Sequence, residues 1–246
     1  MNPLPILRDA WYFFTRNLGA ITLLCLPLIV LECLAQRLVM GWASPESAPV
    51  YEMLTGLLFY PIYSAALILF LDARSRGQQP RTRDLLTLAL WLWPTFALLV
   101  GLSNLLIMLG LSLAALPGLW LAAKPTFADH LLVVLGASLL ALPGLWLMVK
   151  LAFAEYLLVL RGLAPLDALR ESVRQTKGHF WPLLFCVLTV VMPVLLLNWF
   201  AFPAQDESAN QLLAFLLDCV SGFLLLFATV VLFRFFMLVS DPPAKA

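Results

Sequence analysis

LGLSLAALPGLWLAAK (109–124) returns 26 residues later as LGASLLALPGLWLMVK (135–150), and the two stretches agree at 12 of 16 positions. Both are apolar enough to lie in a membrane, and both carry a Pro-Gly pair, Pro117-Gly118 and Pro143-Gly144. Proline lacks the N–H that would close the helical turn, and glycine beside it admits conformations that other residues resist. In hydrocarbon, backbone groups freed this way are tolerated only when protein or trapped water satisfies them. Each phrase is therefore expected to mark a bend or half-helix buried among other spans, with Trp120 and Trp146 as bulky anchors. Broken helices in opposed copies are an architecture of secondary transporters. A duplication that merely lengthens a packed hairpin is the alternative.

The surroundings fit a membrane interior. Of 246 residues, 63% are hydrophobic and 12% charged, with a mean hydropathy of +0.95, more apolar surface than a soluble domain hides. Polar blocks never exceed roughly 15–20 residues, far below the usual size of a soluble domain, so binding or catalysis has to come from spans and short loops. A bilayer core takes about 20 apolar residues per helix. Runs between charged or turn-rich stretches give six spans, at 19–41, 50–72, 84–116, 130–160, 181–200 and 211–233. The expected fold is all-α: one integral membrane domain over 1–246, a polytopic protein with about six transmembrane helices, two of them broken at Pro-Gly. The opening MNPLPILRDAWYFFTRN has aromatics and charges where a signal peptide has a short basic region and a continuous apolar one, so it is expected to stay uncleaved.

Basic residues set the orientation, because cytoplasmic loops retain Lys and Arg. With the N-terminus inside, 12 of 15 bases fall on one face: Arg8, Arg16, Arg74, Arg76, Arg81, Arg83, Arg161, Arg170, Arg174, Lys177, Arg234 and Lys245. The opposite loops hold Lys124 alone. Both termini are expected inside, in a bacterial inner membrane. Residues 84–160 then join two basic loops on the same face and supply two crossings, since four would consume about 80 residues before any turn. The repeat copies therefore point in opposite directions or sit partly in a re-entrant segment.

Two segments read as amphipathic helices lying in the interface. Residues 2–18 place Leu4, Leu7, Trp11, Phe14 and Leu18 on one stripe, with Arg8, Asp9, Tyr12 and Arg16 on another. Residues 165–180 start at Pro165, suited to a first turn, and place Leu166, Leu169, Val173 and Phe180 opposite Asp167, Arg170, Glu171, Arg174 and Lys177. With Arg74, Arg76, Arg81 and Arg83 they form a basic collar, each base worth about 1 kcal/mol of attraction to anionic headgroups. The collar serves headgroup binding or simply topology.

Glu32, Lys150, Glu155 and Asp218 fall inside spans, where an unpaired charge costs at least a few kcal/mol and marks a functional suspect. Lys150 lies about 16 Å from Arg161 along a helix, near the midplane, and Glu32 or Asp218 is expected to neutralise it. Glu155 is expected to pair with a collar arginine. A structural ion pair, a proton or substrate relay, and snorkelling are the competing roles. Cys25, Cys33, Cys186 and Cys219 lack CxxC spacing and nearby His, and are expected to be free lipid-facing or core thiols. His130 and His179 fall on opposite faces and cannot share a metal. No GxSxG, HExxH, P-loop or dinucleotide pattern occurs, so no enzyme, metal or cofactor is expected.

Three stretches, WYFFTRNLGAITLL (11–24), LPGLWLMVKLAFAEYLLVLRGLAPLDALRESVRQTKG (142–178) and LFRFFMLV (232–239), resemble the YciC family of bacterial inner-membrane proteins. That family is distantly similar to the membrane domain of some glycerophosphodiester phosphodiesterases. Ala168, Leu169 and Ser172 match its Ala-Leu-x-x-Ser pattern on a cytoplasmic helix. The resemblance implies a six-helix inner-membrane protein with both termini inside, and carries no reaction or catalytic residue. The second Pro-Gly pair is better placed than the first to match the family's own break.

The function expected from these residues is a non-enzymatic accessory or scaffold in envelope or lipid homeostasis. It would contact membrane lipids, anionic headgroups in particular, and a membrane-protein partner, and no nucleic acid. The alternative is a carrier for a lipid or small amphiphile, with a polar cavity near Lys150, Glu32 and Glu155.

Overall fold

The computed structural model describes residues 3–42, 44, 47–117, 127–201 and 211–240, the side chains of 49, 127–132, 198–201 and 211 excepted. The helices are α1 (Pro3–Arg16), α2 (Leu18–Met40), α3 (Ala48–Ser75), α4 (Thr82–Ser112), α5 (Phe127–Leu140), α6 (Leu142–Leu151), α7 (Ala154–Arg161), α8 (Pro165–Gln175), α9 (Phe180–Ala201) and α10 (Gln211–Ser240). A 3₁₀ turn at Leu113–Ala115 prolongs α4, and no strand occurs among the described residues. Six stretches are long and apolar enough to cross a membrane: Leu18–Met40, Val50–Ser75, Thr82–Ala115, Val133–Arg161, Phe180–Leu197 and Leu212–Ser240. The protein is an all-α, polytopic membrane protein.

Helix α3 is the centre of the bundle. It packs between α2 and α4 and also meets α7 and α10, and Ala65, Ala66, Leu67, Ile68 and Leu71 are fully buried around its whole circumference. The outer helices instead turn Leu23, Leu38, Trp91, Leu98 and Leu105 outward, toward lipid. Pro27, Pro61, Pro94 and Pro193 lie within helices, as membrane helices allow when neighbours compensate the lost hydrogen bond.

The duplicated stretch forms an antiparallel pair. A Cβ added to Gly110 would lie 2.8 Å from the Gly144 backbone, and one on Gly144 would lie 2.5 Å from the Leu111 side chain. Farther along, the same hypothetical atom on Gly136 would lie 3.2 Å from Pro117. Gly110 and Gly136 are equivalent in the two copies, as are Pro117 and Pro143. The early glycine of each copy thus meets the Pro-Gly region of the other, a self-complementary contact of the kind two-fold symmetry produces. Small residues let the backbones approach closely.

The breaks differ from expectation. Span four does pause at Ala141, just ahead of Pro143 in the first turn of α6, but a second interruption lies at Ala152–Phe153, where neither Pro nor Gly occurs. Near Pro117 the third span passes through its 3₁₀ turn, and Leu116 and Pro117 are helical again. Gly118, Trp120 and Lys124 lie outside the described residues. The last span continues past 233 to Ser240.

Both amphipathic helices are present, and only part of each apolar stripe packs on protein. In α1 the buried residues are Ile6, Ala10 and Phe14, while Leu4 and Trp11 are exposed. In α8 they are Ala168, Leu169 and Ser172, while Leu166 is exposed. An apolar side chain beside a membrane can meet lipid as well as protein, so the most hydrophobic stripe need not be the packed one. Helix α1 docks on α10 through ring contacts, Trp11 and Phe14 each 5.5 Å from Phe227.

Candidate intramembrane cavity

Beside Glu32 of α2, and next to the α6–α7 break, the bundle is hollow. A cavity of about 500 Å³ lies between α2, α3, α4, α6, α7, α9 and α10, within the range of small-molecule sites. Its walls are chiefly apolar, with Leu57, Val100, Met148 and Leu225 among them. Its polar groups are Glu32, Tyr60, Tyr63, Ser103, Asn104, Glu155, Tyr156 and Thr229. Gly56 and Gly222 leave room where larger residues would intrude. Gly56 faces the Glu32 carboxyl, 3.7 Å from where its Cβ would stand.

The α6–α7 break aims Glu155 into this space. Ser172 of α8 spans the break: its hydroxyl donates to the Lys150 carbonyl at 2.7 Å and accepts the Phe153 N–H at 3.1 Å. Thr176, one turn later, also approaches that carbonyl, at 3.5 Å. One buried serine therefore satisfies the donor and the acceptor that the broken helix leaves over. Helix α7 then restarts at Ala154 and ends at Gly162, whose φ of 64° closes the helix in the left-handed region, which favours glycine.

Glu155 accepts hydrogen bonds from Tyr60 at 2.9 Å and from Ser64 at 3.1 Å. The Tyr63 hydroxyl is directed at Glu32, and the two tyrosine rings meet edge to face at 5.5 Å. Tyr156, beside Glu155, donates to the Thr229 carbonyl at 2.8 Å and so ties α7 to α10.

Several expected pairings are corrected here. Glu155 is bound by hydroxyls of α3 rather than by a collar arginine. Asp218 pairs with Arg37 at 2.5 Å, a base that the charge pattern of the loops overlooks because it sits inside the first span. Lys150 is buried, its ammonium 5.8 Å from the centre of the Trp146 ring, and among the described residues no carboxylate comes within ion-pair distance of it. It does not line the cavity. A ring face partly offsets the missing counter-ion. The four thiols are all buried and free, with Cys33 and Cys219 side by side between α2 and α10.

A sequence model described as "Domain of unknown function (DUF7847)" matches residues 4–240. The chain belongs to the DUF7847 family. No curated protein and no solved structure matches it.

In this DUF7847 chain the collar bases make mostly local contacts. Arg76 pairs with Asp72 at 3.0 Å and Arg174 with Glu171 at 2.8 Å. Arg8 and Arg170 lie 3.9 Å from Asp9 and Asp167. The Gln175 amide and the Arg174 guanidinium hold the Glu171 carboxyl below its ordinary range. Arg74 is more committed: it donates to Asn17 at 3.1 Å, a buried residue at the α1–α2 junction. Arg16, Arg81, Arg83 and Lys177 sit at helix ends on exposed positions. Arg234 stacks on Phe13 at 4.7 Å, although its Nε, like His179 Nδ1, is buried without a hydrogen-bond partner. Among the described residues no cluster of three metal-ligating side chains occurs.

Proposed function

We propose that this protein is a non-enzymatic carrier that takes a small amphiphile into its central cavity. The observation that carries this reading is the cavity itself, which holds two carboxylates and several hydroxyls inside a bundle whose outer surface is apolar. A second, apolar cavity of about 210 Å³ lies between the repeat copies and shares Ile107 and Met148 with the first. It offers room for a tail beside the polar chamber. Antiparallel repeats with interrupted helices next to a cavity among the spans support a carrier by analogy with secondary transporters.

An accessory or scaffold role in envelope or lipid homeostasis is the second reading, supported by the exposed basic face of α8. The distribution of bases, together with the three stretches that resemble the YciC family in sequence, supports a bacterial inner membrane with both termini inside.

A test uses protein with the four native cysteines replaced. Ser103→Cys, in the cavity wall, is expected to react with a water-soluble thiol reagent at least tenfold faster than Leu98→Cys on the lipid face, and a bound amphiphile should slow that reaction. Equal, negligible rates at both positions with no protection would overturn the carrier reading.

A further inference from the structure

We infer that the ligand of this cavity is an amphiphilic ammonium cation, held between Glu32 and Glu155, whose entry displaces a proton. This rests on the carrier reading and adds the charge and chemistry of the ligand. The cavity lining contains two acids and no Lys, Arg or His among its described residues. The bases inside the spans at Lys150 and Arg37 are engaged elsewhere, Lys150 over Trp146 and Arg37 with Asp218. A phosphate or carboxylate headgroup placed here would meet like charge in a poorly screened interior. A cation would meet opposite charge there.

The remaining lining completes the recognition. Tyr60, Tyr63 and Tyr156 line the cavity and supply aromatic rings, which attract ammonium groups, together with hydroxyl oxygens that accept N–H donors. Met53, Ile107 and Met148 offer a deformable apolar wall for the hydrocarbon part. Small hard dications are poorly served, because such ions take six or more oxygen ligands and these walls are mainly carbon.

A charged carboxylate in the bilayer interior has to be neutralised by a proton or a counter-ion. The exchange balances as R–NH₃⁺ plus Glu–COOH giving the R–NH₃⁺ carboxylate pair plus one released proton. The groups facing Glu32 are Tyr60 and Tyr63 of α3 and Cys33 on its own helix, and beyond Cys33 lie Cys219 and Asp218 of α10, the last already paired with Arg37. Those facing Glu155 are Tyr60 and Ser64 of α3 and the adjacent Tyr156. None of them supplies a positive charge. Protonation at low pH therefore competes with the ligand, and the cation binds more weakly as pH falls.

The experiment places the full-length protein in nanodiscs of phosphatidylcholine and titrates octylammonium, 1-octanol and octanoate by calorimetry at pH 8 and pH 5.5. The matching titration of Glu32→Gln/Glu155→Gln nanodiscs corrects for partition into lipid. Octylammonium is expected to bind saturably at pH 8, at least tenfold more weakly in the double variant. Wild-type affinity should fall between the two pH values by up to about tenfold per unit, the limit for a one-proton exchange. The pH dependence of the wild type stands even if the double variant does not fold, since alkylammonium stays charged throughout this range, as lysine does. Saturable binding of octanol or octanoate equal to that of octylammonium, or pH-independent octylammonium binding, overturns the inference while sparing the carrier reading. Absence of saturable binding by all three probes overturns both.

Discussion

At the scale of single residues, Ser172 stands out because one hydroxyl closes two loose ends of a broken helix. Replacing it by alanine leaves the Lys150 carbonyl and the Phe153 N–H buried without it, and about 1–3 kcal/mol of stability should be lost. Chemical denaturation of purified Ser172→Ala protein measures this, and a cost below about 0.5 kcal/mol would contradict the bridging role. Arg37 and Asp218 should behave as a unit. Either Arg37→Gln or Asp218→Asn alone strands a charge and, for a pair this exposed, costs about 1 kcal/mol, whereas the double variant should recover much of the loss. A double-mutant cycle with no coupling would remove the pair from the account. The charges inside spans were legible as suspects from sequence, because an acid in an apolar run is expensive wherever it lies. Their partners were not. Tyr60 and Ser64 lie 95 and 91 residues from Glu155, and Arg37 lies 181 from Asp218, so only the folded bundle says which hydroxyl or base arrives at which acid.

At the scale of elements, the repeat is explained by contact between its copies. Gly110 and Gly144 occupy a backbone approach that admits no Cβ without movement, and overpacking of this kind costs about 1–3 kcal/mol. Gly144→Ala should therefore lower the thermal midpoint and weaken the α4–α6 contact, and Gly110→Ala should do the same. The two together should cost less than the sum of the singles, because one separation of the helices relieves both clashes. Strict additivity, read from melting curves of the three variants, would contradict the close contact. The sequence announced this feature through its doubled Pro-Gly phrase and correctly opposed the two copies. It pointed only to the prolines as breakers, however, and missed the interruption at Ala152–Phe153. No breaker residue encodes that interruption. It is sustained from α8, through a serine whose place in the Ala-Leu-x-x-Ser pattern was visible while its target was not. The amphipathic helices were legible as interfacial, but not which residues of their apolar stripes meet protein. In α1 the stripe through Trp11 includes Phe14, which is buried with Ile6 and Ala10, whereas Leu4 and Trp11 stay exposed although Trp11 also touches Phe227.

At the scale of the whole molecule, six apolar spans surround a chamber that no single stretch of sequence outlines, because seven helices contribute its walls. The number of spans was legible from hydrophobic run lengths, and the two acids that face the chamber were named among the suspects. The chamber's acidic character was obscured by Lys150, which sequence places beside Glu155 and the fold turns toward Trp146. The crossing pattern carries its own prediction: in protein lacking native thiols, single cysteines at 127 and 175 should label from opposite sides of sealed vesicles, and labelling from one side would refute the arrangement. The central claim is that the chamber is a ligand site. Native mass spectrometry of protein released gently from its own membranes tests it most directly, comparing wild type with Gly56→Phe, which fills the space beside Glu32. One small amphiphile per wild-type chain, absent from the filled variant, is the result this account predicts; chains equally loaded, or equally empty, in both proteins would contradict it.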